Sequence, residues 1–333
     1  MNVLSLRDTI GDASRESLRC SIIEWLAVPL RSHGFDDARK LRSATTGNWF
    51  LNGTTFKDWM SAPKSILWLH GIPGSGKTVL SSSIIETLIN TTDGSDQAVT
   101  LQYFFDFRTH DRQAHDHFLR SLLAQLQMST PEILEPIRSL HTRYKDKSHY
   151  PGEKELLETL HRSLMDFGLT FIVIDAIDEC DARHRLIEVI EEIVSWNLEQ
   201  LHLLATSRRE PDIEDFFTRI SSHECHMDLA TVNDDIRWHV QESIKMDPRL
   251  KRWPAEIRDE IGITVASKAG GMFRWADCQL QTLKKCKTIK GLRKAFQSLP
   301  ETMDETYARI LENIDPEFAQ ETHTMLLWLC CSE

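Results

Sequence analysis

Gly71-Ile72-Pro73-Gly74-Ser75-Gly76-Lys77-Thr78 sets three glycines, a lysine and a hydroxyl at the spacing of a phosphate-binding loop. The glycines permit a tight turn, so successive N–H groups point into one concavity at the start of a helix, where partial positive charge favours a polyphosphate. Lys77 is expected to neutralise the β and γ phosphates, and the Thr78 hydroxyl to ligate Mg²⁺. A second run, Phe171-Ile172-Val173-Ile174-Asp175-Ala176-Ile177-Asp178-Glu179, carries a carboxylate to the end of an apolar strand. Nucleotides bind at that edge in an open α/β sheet, so Asp175 is expected to hold the metal, through water. Asp178 and Glu179 stand just beyond it, and either one is suited to polarise an attacking water; the same acids also suit the start of a helix. Ala205-Thr206-Ser207-Arg208-Arg209 ends a further strand. A guanidinium there would sense the γ phosphate, with Arg208 the first candidate and Arg209 the alternative.

These residues need a scaffold that brings strand ends together, and the apolar pattern supplies one. Ser65–His70, Val99–Phe105, Phe171–Asp175 and His202–Thr206 read as strands, and helical patterns fall between them at Leu80/Ile84/Leu88, Phe118/Leu122/Leu126, Leu156/Leu160/Leu164 and Ile187/Ile190/Ile193. Short apolar strands alternating with amphipathic helices imply an α/β fold, a parallel sheet with helices on both faces. Residues 1 to 48 read as helical, with an apolar stripe of Leu18, Ile22, Ile23 and Leu26. Beyond residue 211 a short strand at His223–Leu229 is followed by helices only, the first opened by Asp234 and Asp235, then Ala255–Lys268, Met272–Cys286 and a stripe from Met303 to Ile314.

Composition sets the outer bounds. Hydrophobic residues make up 41% and charged residues 27% of the 333, the balance of an ordinary globular protein, and no apolar run approaches the ~20 residues of a bilayer span. The first residues lack a secretory layout, and seven cysteines with no CxxC pair suit reduced thiols, so an intracellular, cytoplasmic location is expected and no membrane partner. A net charge of -11 argues against coating nucleic acid and favours protein partners. His110, His115 and His117, or His223, Cys225 and His226, lack the paired spacing of a zinc site. The tryptophans, Trp49, Trp59, Trp68, Trp196, Trp238, Trp253, Trp275 and Trp328 among them, are expected in the core, and Lys284, Lys285, Lys287 and Lys290 on a solvated helix face.

The combination resembles the NACHT-type P-loop NTPases of the signal-transducing STAND class, in particular their fungal members. Gly71 to Thr78 matches the family's phosphate loop, Asp175-Ala176-Ile177-Asp178-Glu179 its metal-binding strand end with a small residue after the first aspartate, and Thr206-Ser207-Arg208 its sensor segment. Gly47-Asn48-Trp49-Phe50-Leu51 with Phe56 and Trp59, Gly271-Met272-Phe273-Arg274-Trp275-Ala276, and Leu299-Pro300 through Tyr307 extend the likeness over about residues 17 to 333. The same stretch is known as a nephrocystin-like N-terminal domain, and fungal relatives commonly continue into ankyrin or WD-type repeats.

What the resemblance implies is a switch: a closed diphosphate state, nucleotide exchange, then assembly with other protein chains, either as a homo-oligomer or with full-length NACHT relatives. In fungi it points to non-self recognition and regulated cell death. The implied organisation is an N-terminal helical adaptor at 1–48, a nucleotide-binding core at 49–229, an all-α lid at 230–300 and the start of a winged-helix-like region at 301–333. Gly271-Met272-Phe273 stands where related ATPases place a Gly-x-Pro near the base. Phe273 stands in place of that proline; it is counted among the expected nucleotide-binding residues, and the base contact and the choice of ATP or GTP stay open. Relatives would be entering further domains where this chain ends, so it is read either as a truncated product or as a stand-alone regulator. Slow NTP hydrolysis is the first expectation, and a binding-only scaffold without turnover the alternative.

Overall fold

Ile66–His70 (β1), Leu169–Asp175 (β3) and Leu201–Ser207 (β4) are buried along nearly their whole length, as strands covered on both faces must be. Ala98–Phe104 (β2) and His223–His226 (β5) alternate in burial, and they form the two edges of a five-stranded sheet of order β2-β3-β4-β1-β5. Every pairing is parallel. Parallel neighbours require long crossovers, which here are helical.

The computed structural model describes residues 3–26, 33–41, 46–95, 97–106, 114–147, 149–227, 229–312, 314–315 and 317–331. They fall into two compact units, one within 1–42, 47–71 and 77–226, the other within 43–46, 72–76 and 227–333. The first holds the sheet and α1 (Val3–Leu26), α2 (His33–Leu41), α3 (Asn48–Leu51), α4 (Thr54–Ser61), α5 (Lys77–Thr92), α6 (Ala114–Ser129), α7 (Glu135–Tyr144), α8 (Glu153–Leu164), α9 (Arg183–Ser195) and α10 (Pro211–Ile220).

Strand side chains alternate between faces, and the two faces are sealed differently. Trp68, Leu101, Ile172, Ile174, Leu203 and Ala205 join one core with Phe118 and Leu122 of α6, Leu160 of α8, Ile190 of α9 and Phe217 of α10. Ile22 and Leu26 of α1 enter this same cluster, so half of the apolar stripe read near the N-terminus docks there, while Leu18 is exposed. The opposite face carries an aromatic series: Phe50 lies 5.4 Å from Phe56, Phe56 5.6 Å from Trp59, and Trp59 5.5 Å from Phe171 of β3, ring centre to ring centre. Trp59 Nε1 also donates to the Leu203 carbonyl at 3.1 Å, pinning α4 to β4. Gly47 begins α3 at φ 83°, a left-handed conformation that strains any side chain, and a Cβ there would also displace Leu80 Cδ1, 2.7 Å away.

The second unit contains α11 (Leu229–Met246), α12 (Pro248–Lys251), α13 (Ala255–Lys268), α14 (Phe273–Lys284), α15 (Ile289–Gln297), α16 (Met303–Glu312) and α17 (Ala319–Cys331). Ile236, Val240, Ile261, Val265, Trp275 and Leu280 are buried in it, and Gln279 of α14 donates to Thr306 of α16 at 3.2 Å.

Three expectations need correction. Asp234 and Asp235 do not open their helix: α11 begins at Leu229, and Asp234 serves as the i,i+3 partner of Arg237 at 3.3 Å. Lys284 is not solvated; its side chain is 15% exposed and reaches Asp247 at 2.9 Å. Trp328 is not a core residue, being 71% exposed on α17, whereas Trp59, Trp68 and Trp275 are fully enclosed.

Candidate functional site

Because the sheet is parallel, β1, β3 and β4 end at one edge, and three segments far apart in sequence emerge side by side: Gly71, Asp175 to Glu179, and Arg208. Asp175, the last residue of β3, is 1% exposed. Its Oδ1 accepts from the Ser81 hydroxyl at 2.6 Å and the Thr206 hydroxyl at 2.7 Å, and Thr78 donates to the same carboxyl group. Burial pushes the Asp175 pKa up, while these hydroxyls and the Lys77 ammonium pull it down.

After Asp175 the chain reverses sharply. Ala176 adopts φ 58° and ψ 51°, a left-handed conformation that costs a residue with a Cβ on the order of 1 kcal/mol. Thr206 offsets that cost, its Oγ1 accepting the Ala176 N–H at 3.0 Å. The reversal feeds a single 3-10 turn, Ile177–Glu179, anchored by fully buried Ile177 and closed by the Glu179 N–H on the Ala176 carbonyl at 2.9 Å. Asp178 leaves this turn with its side chain 6% exposed and meets Arg208: Oδ2 takes the guanidinium Nε at 3.0 Å, and Oδ1 the Arg208 backbone N–H at 3.0 Å. Arg209, the alternative sensor, turns instead to Glu214 of α10.

Lys77 opens α5 and donates to the Gly71 carbonyl at 2.8 Å. Burial lowers its pKa, and Arg208 adds to that; Asp178, Asp175 and Glu179 oppose it. Lys77, Thr78, Asp175, Asp178, Glu179 and Arg208 are therefore one electrostatic neighbourhood. Thr78 and Asp175, the residues expected to hold a metal, offer hydroxyl and carboxylate oxygens only, a donor set that would fit Mg²⁺ rather than a softer ion.

In the other unit, Ile72, Pro73, Gly74, Ser75 and Gly76 form a turn in which Gly74 and Gly76 take φ 74° and 91°. A Cβ on Gly76 would lie 3.2 Å from the Phe273 ring, and one on Gly74 2.9 Å from Arg274 Cβ. The start of α14 thus seats on these glycines, with the Arg274 guanidinium hydrogen-bonded to Tyr307 of α16. Ser75 Oγ is buried with no hydrogen-bond partner among the described residues, the kind of orphan a bound phosphate would satisfy.

Ser81 was not singled out from sequence, although it follows Thr78 by three residues and Lys77 by four, the spacing of one helix face. The clamp role of Thr206 and the closure of Asp178 on Arg208 were likewise missed; both depend on the pairing of β3 with β4. Among the described residues, one group has metal-ligand spacing: His115, Asp116 and Glu153, whose ligand atoms lie within 4.8 Å of one another. Glu153 there is held by Arg185. His110 lies outside the described residues, and His226 stacks on buried His70 with ring centres 4.9 Å apart.

Residues 45–208 match the family model for the nephrocystin 3 N-terminal domain. Over 282 residues the chain is 28% identical to the vegetative incompatibility protein HET-E-1 of Podospora anserina, covering 80% of this chain and 20% of that protein. The chain therefore spans a fifth of the length of this relative. Among solved structures, the Aeropyrum pernix ORC1 protein in complex with DNA aligns with a TM-score of 0.44 at 15% identity, over 76% of this chain and 65% of that one. Domain III of the Thermotoga maritima replication initiation protein DnaA aligns with a TM-score of 0.41 at 14% identity, over 83% and 100%.

Proposed function

With residues 45–208 in the nephrocystin 3 N-terminal family and the chain NACHT-like within the STAND class, we propose that it is a nucleotide-operated switch with slow NTP hydrolysis. It binds ATP or GTP and the corresponding diphosphate, with Mg²⁺, and passes its state to other protein chains in the cytoplasm. The observation that carries the reading is the convergence of Lys77, Thr78, Asp175 and Arg208 at one sheet edge. Lys77 offers charge to the outer phosphates, exchanging its bond to the Gly71 carbonyl for one to oxygen. Thr78 and Asp175 would hold Mg²⁺, which supplies charge neutralisation between the phosphates. In the other unit, Phe273 at the head of α14 lies against Gly76.

Of the two acids beyond Asp175, Asp178 has both oxygens engaged by Arg208, which favours Glu179 as the group that orients water. A single base of this kind suits slow turnover. By kinship with a vegetative incompatibility protein, the setting proposed is fungal non-self recognition, with homo-oligomers or longer relatives as partners. The engagement of Asp178 equally supports a second reading, a module that binds nucleotide without turning it over. Glu179→Gln separates the two, because it should abolish steady-state phosphate release; parent and variant releasing phosphate at the same rate would leave only the binding module.

The primary test is the identity and amount of nucleotide retained by natively purified protein, read by mass spectrometry. Near-stoichiometric diphosphate, lost in Lys77→Ala, is the expected result and would also name the base. A parent chain that arrives empty and takes up no added nucleotide would overturn the reading.

A further inference from the structure

Asp178 closes a ring with a single residue. One carboxylate oxygen accepts the backbone N–H of Arg208 at 3.0 Å, and the other stands 3.0 Å from its Nε as the nearest approach of an ion pair. Gripping both ends of one side chain fixes its rotamer and the plane of its guanidinium. The carboxylate is itself immobile: it is 6% exposed, and it sits on the 3-10 turn held by buried Ile177 and by the strained Ala176–Thr206 junction. The guanidinium is far more open, with the Arg208 side chain 47% exposed. Among the described residues nothing bonds its two Nη groups, which are the two that a phosphate takes in bidentate fashion. Lys77, within electrostatic reach of both partners, puts the phosphate-binding end of α5 beside this pair.

We propose that Asp178 is a positioning residue rather than a base: it aims the Nη groups of Arg208 so that the site distinguishes a nucleoside triphosphate from a diphosphate. The inference rests on the nucleotide reading above and goes beyond it by assigning the discrimination step to one carboxylate. In an alternative geometry, in which Asp178 restrains Arg208 away from phosphate, the nearest approach to the carboxylate would run through an Nη group; here it runs through Nε.

The test is the ratio of dissociation constants for the diphosphate and a non-hydrolysable triphosphate, measured by titration calorimetry on parent, Asp178→Asn, Arg208→Gln and the double variant. The Asn side chain keeps an acceptor for the backbone N–H but turns an amide donor toward Nε, so the guanidinium is released. Losing an aimed charge-assisted contact should lower the triphosphate preference by about tenfold or more. Arg208→Gln should lower it equally, and in that background Asp178→Asn should add less than about twofold, since the two act as one unit. A purely structural role for Asp178 would instead give additive losses and shift both nucleotides together. An unchanged ratio in Asp178→Asn overturns the aiming role, and a raised ratio shows that Asp178 restrains Arg208. If Asp178→Asn does not fold, judged by its melting profile, Arg208→Gln alone decides: a ratio equal to the parent's overturns the proposal. A parent that binds neither nucleotide removes the nucleotide reading as well, which distinguishes that failure from this one.

Discussion

Asp175 is enclosed by the sheet, and hydroxyl donors are what keep a charge tolerable there. Its folded pKa is raised by burial above the ordinary 3.8. Between that value and the raised one the folded chain holds a proton that the unfolded chain has released, so stability falls as pH rises through this window. Above it the ionised carboxylate is a net cost. Asp175→Asn keeps an acceptor for Ser81 and Thr206 and removes the charge. The expected result is a higher urea midpoint than the parent at neutral pH without nucleotide, loss of the carboxylate's own share of the slope across the acid window, and no further rise with Mg²⁺-nucleotide. A lower midpoint would show that the hydroxyl bonds to the charged form outweigh its burial. At this scale the grouping of Lys77, Thr78, Asp175 and Arg208 at one sheet edge was legible, because each closes or follows a strand whose pattern is local. Ser81 and the grip of Asp178 on Arg208 were not, because they arise from contacts between segments 94 and 30 residues apart.

Trp59 illustrates the element scale. Eight-residue α4 is too short to persist alone; it is held by one indole wedged between Phe56 and Phe171 and bonded to the Leu203 carbonyl. Trp59→Phe keeps most of the ring contact and removes the donor. Denaturant unfolding should report a loss of about 1–3 kcal/mol, the cost of a buried acceptor left short. Trp59→Ala should lose more, roughly 3–5 kcal/mol, through the cavity as well. Strands and most helices were readable from periodicity, since their burial follows from their own side chains. The start of α11 was not: Asp234, exposed on the second turn, pairs with Arg237 there as readily as it would cap a terminus.

For the molecule as a whole, three enclosed histidines among the described residues contribute to the response to acid. Burial lowers the pKa of His70, against its bond to Glu224, and likewise of His141 and His202. The unfolded chain takes up their protons near 6.5 while the folded chain resists, so stability is complete above that pH and declines as pH falls below it. In the Asp175→Asn background, where the carboxylate's opposing slope is absent, the urea midpoint should drop between pH 7.5 and pH 5.5; a flat profile would place these histidines in water. None of the described helices is long and apolar enough to cross a membrane, yet α16 and α17 carry exposed Ile310, Leu311, Met325, Leu327, Trp328 and Leu329. The sequence did not anticipate that surface, because an apolar run reads the same whether its partner is present or not.

The strand order has a consequence in time. β1, wholly apolar except for its last residue, pairs only with β4 and β5, and both are made long after it. At roughly 5–20 residues per second of synthesis, the strand leaves the ribosome on the order of ten seconds before either neighbour exists. Throughout that interval it has two open edges and the composition of an aggregating segment. The strand that leads into Gly71–Thr78 is therefore exposed during its own translation, and slower growth at low temperature, which weakens hydrophobic association, is the condition under which the intact chain should be recovered in best yield.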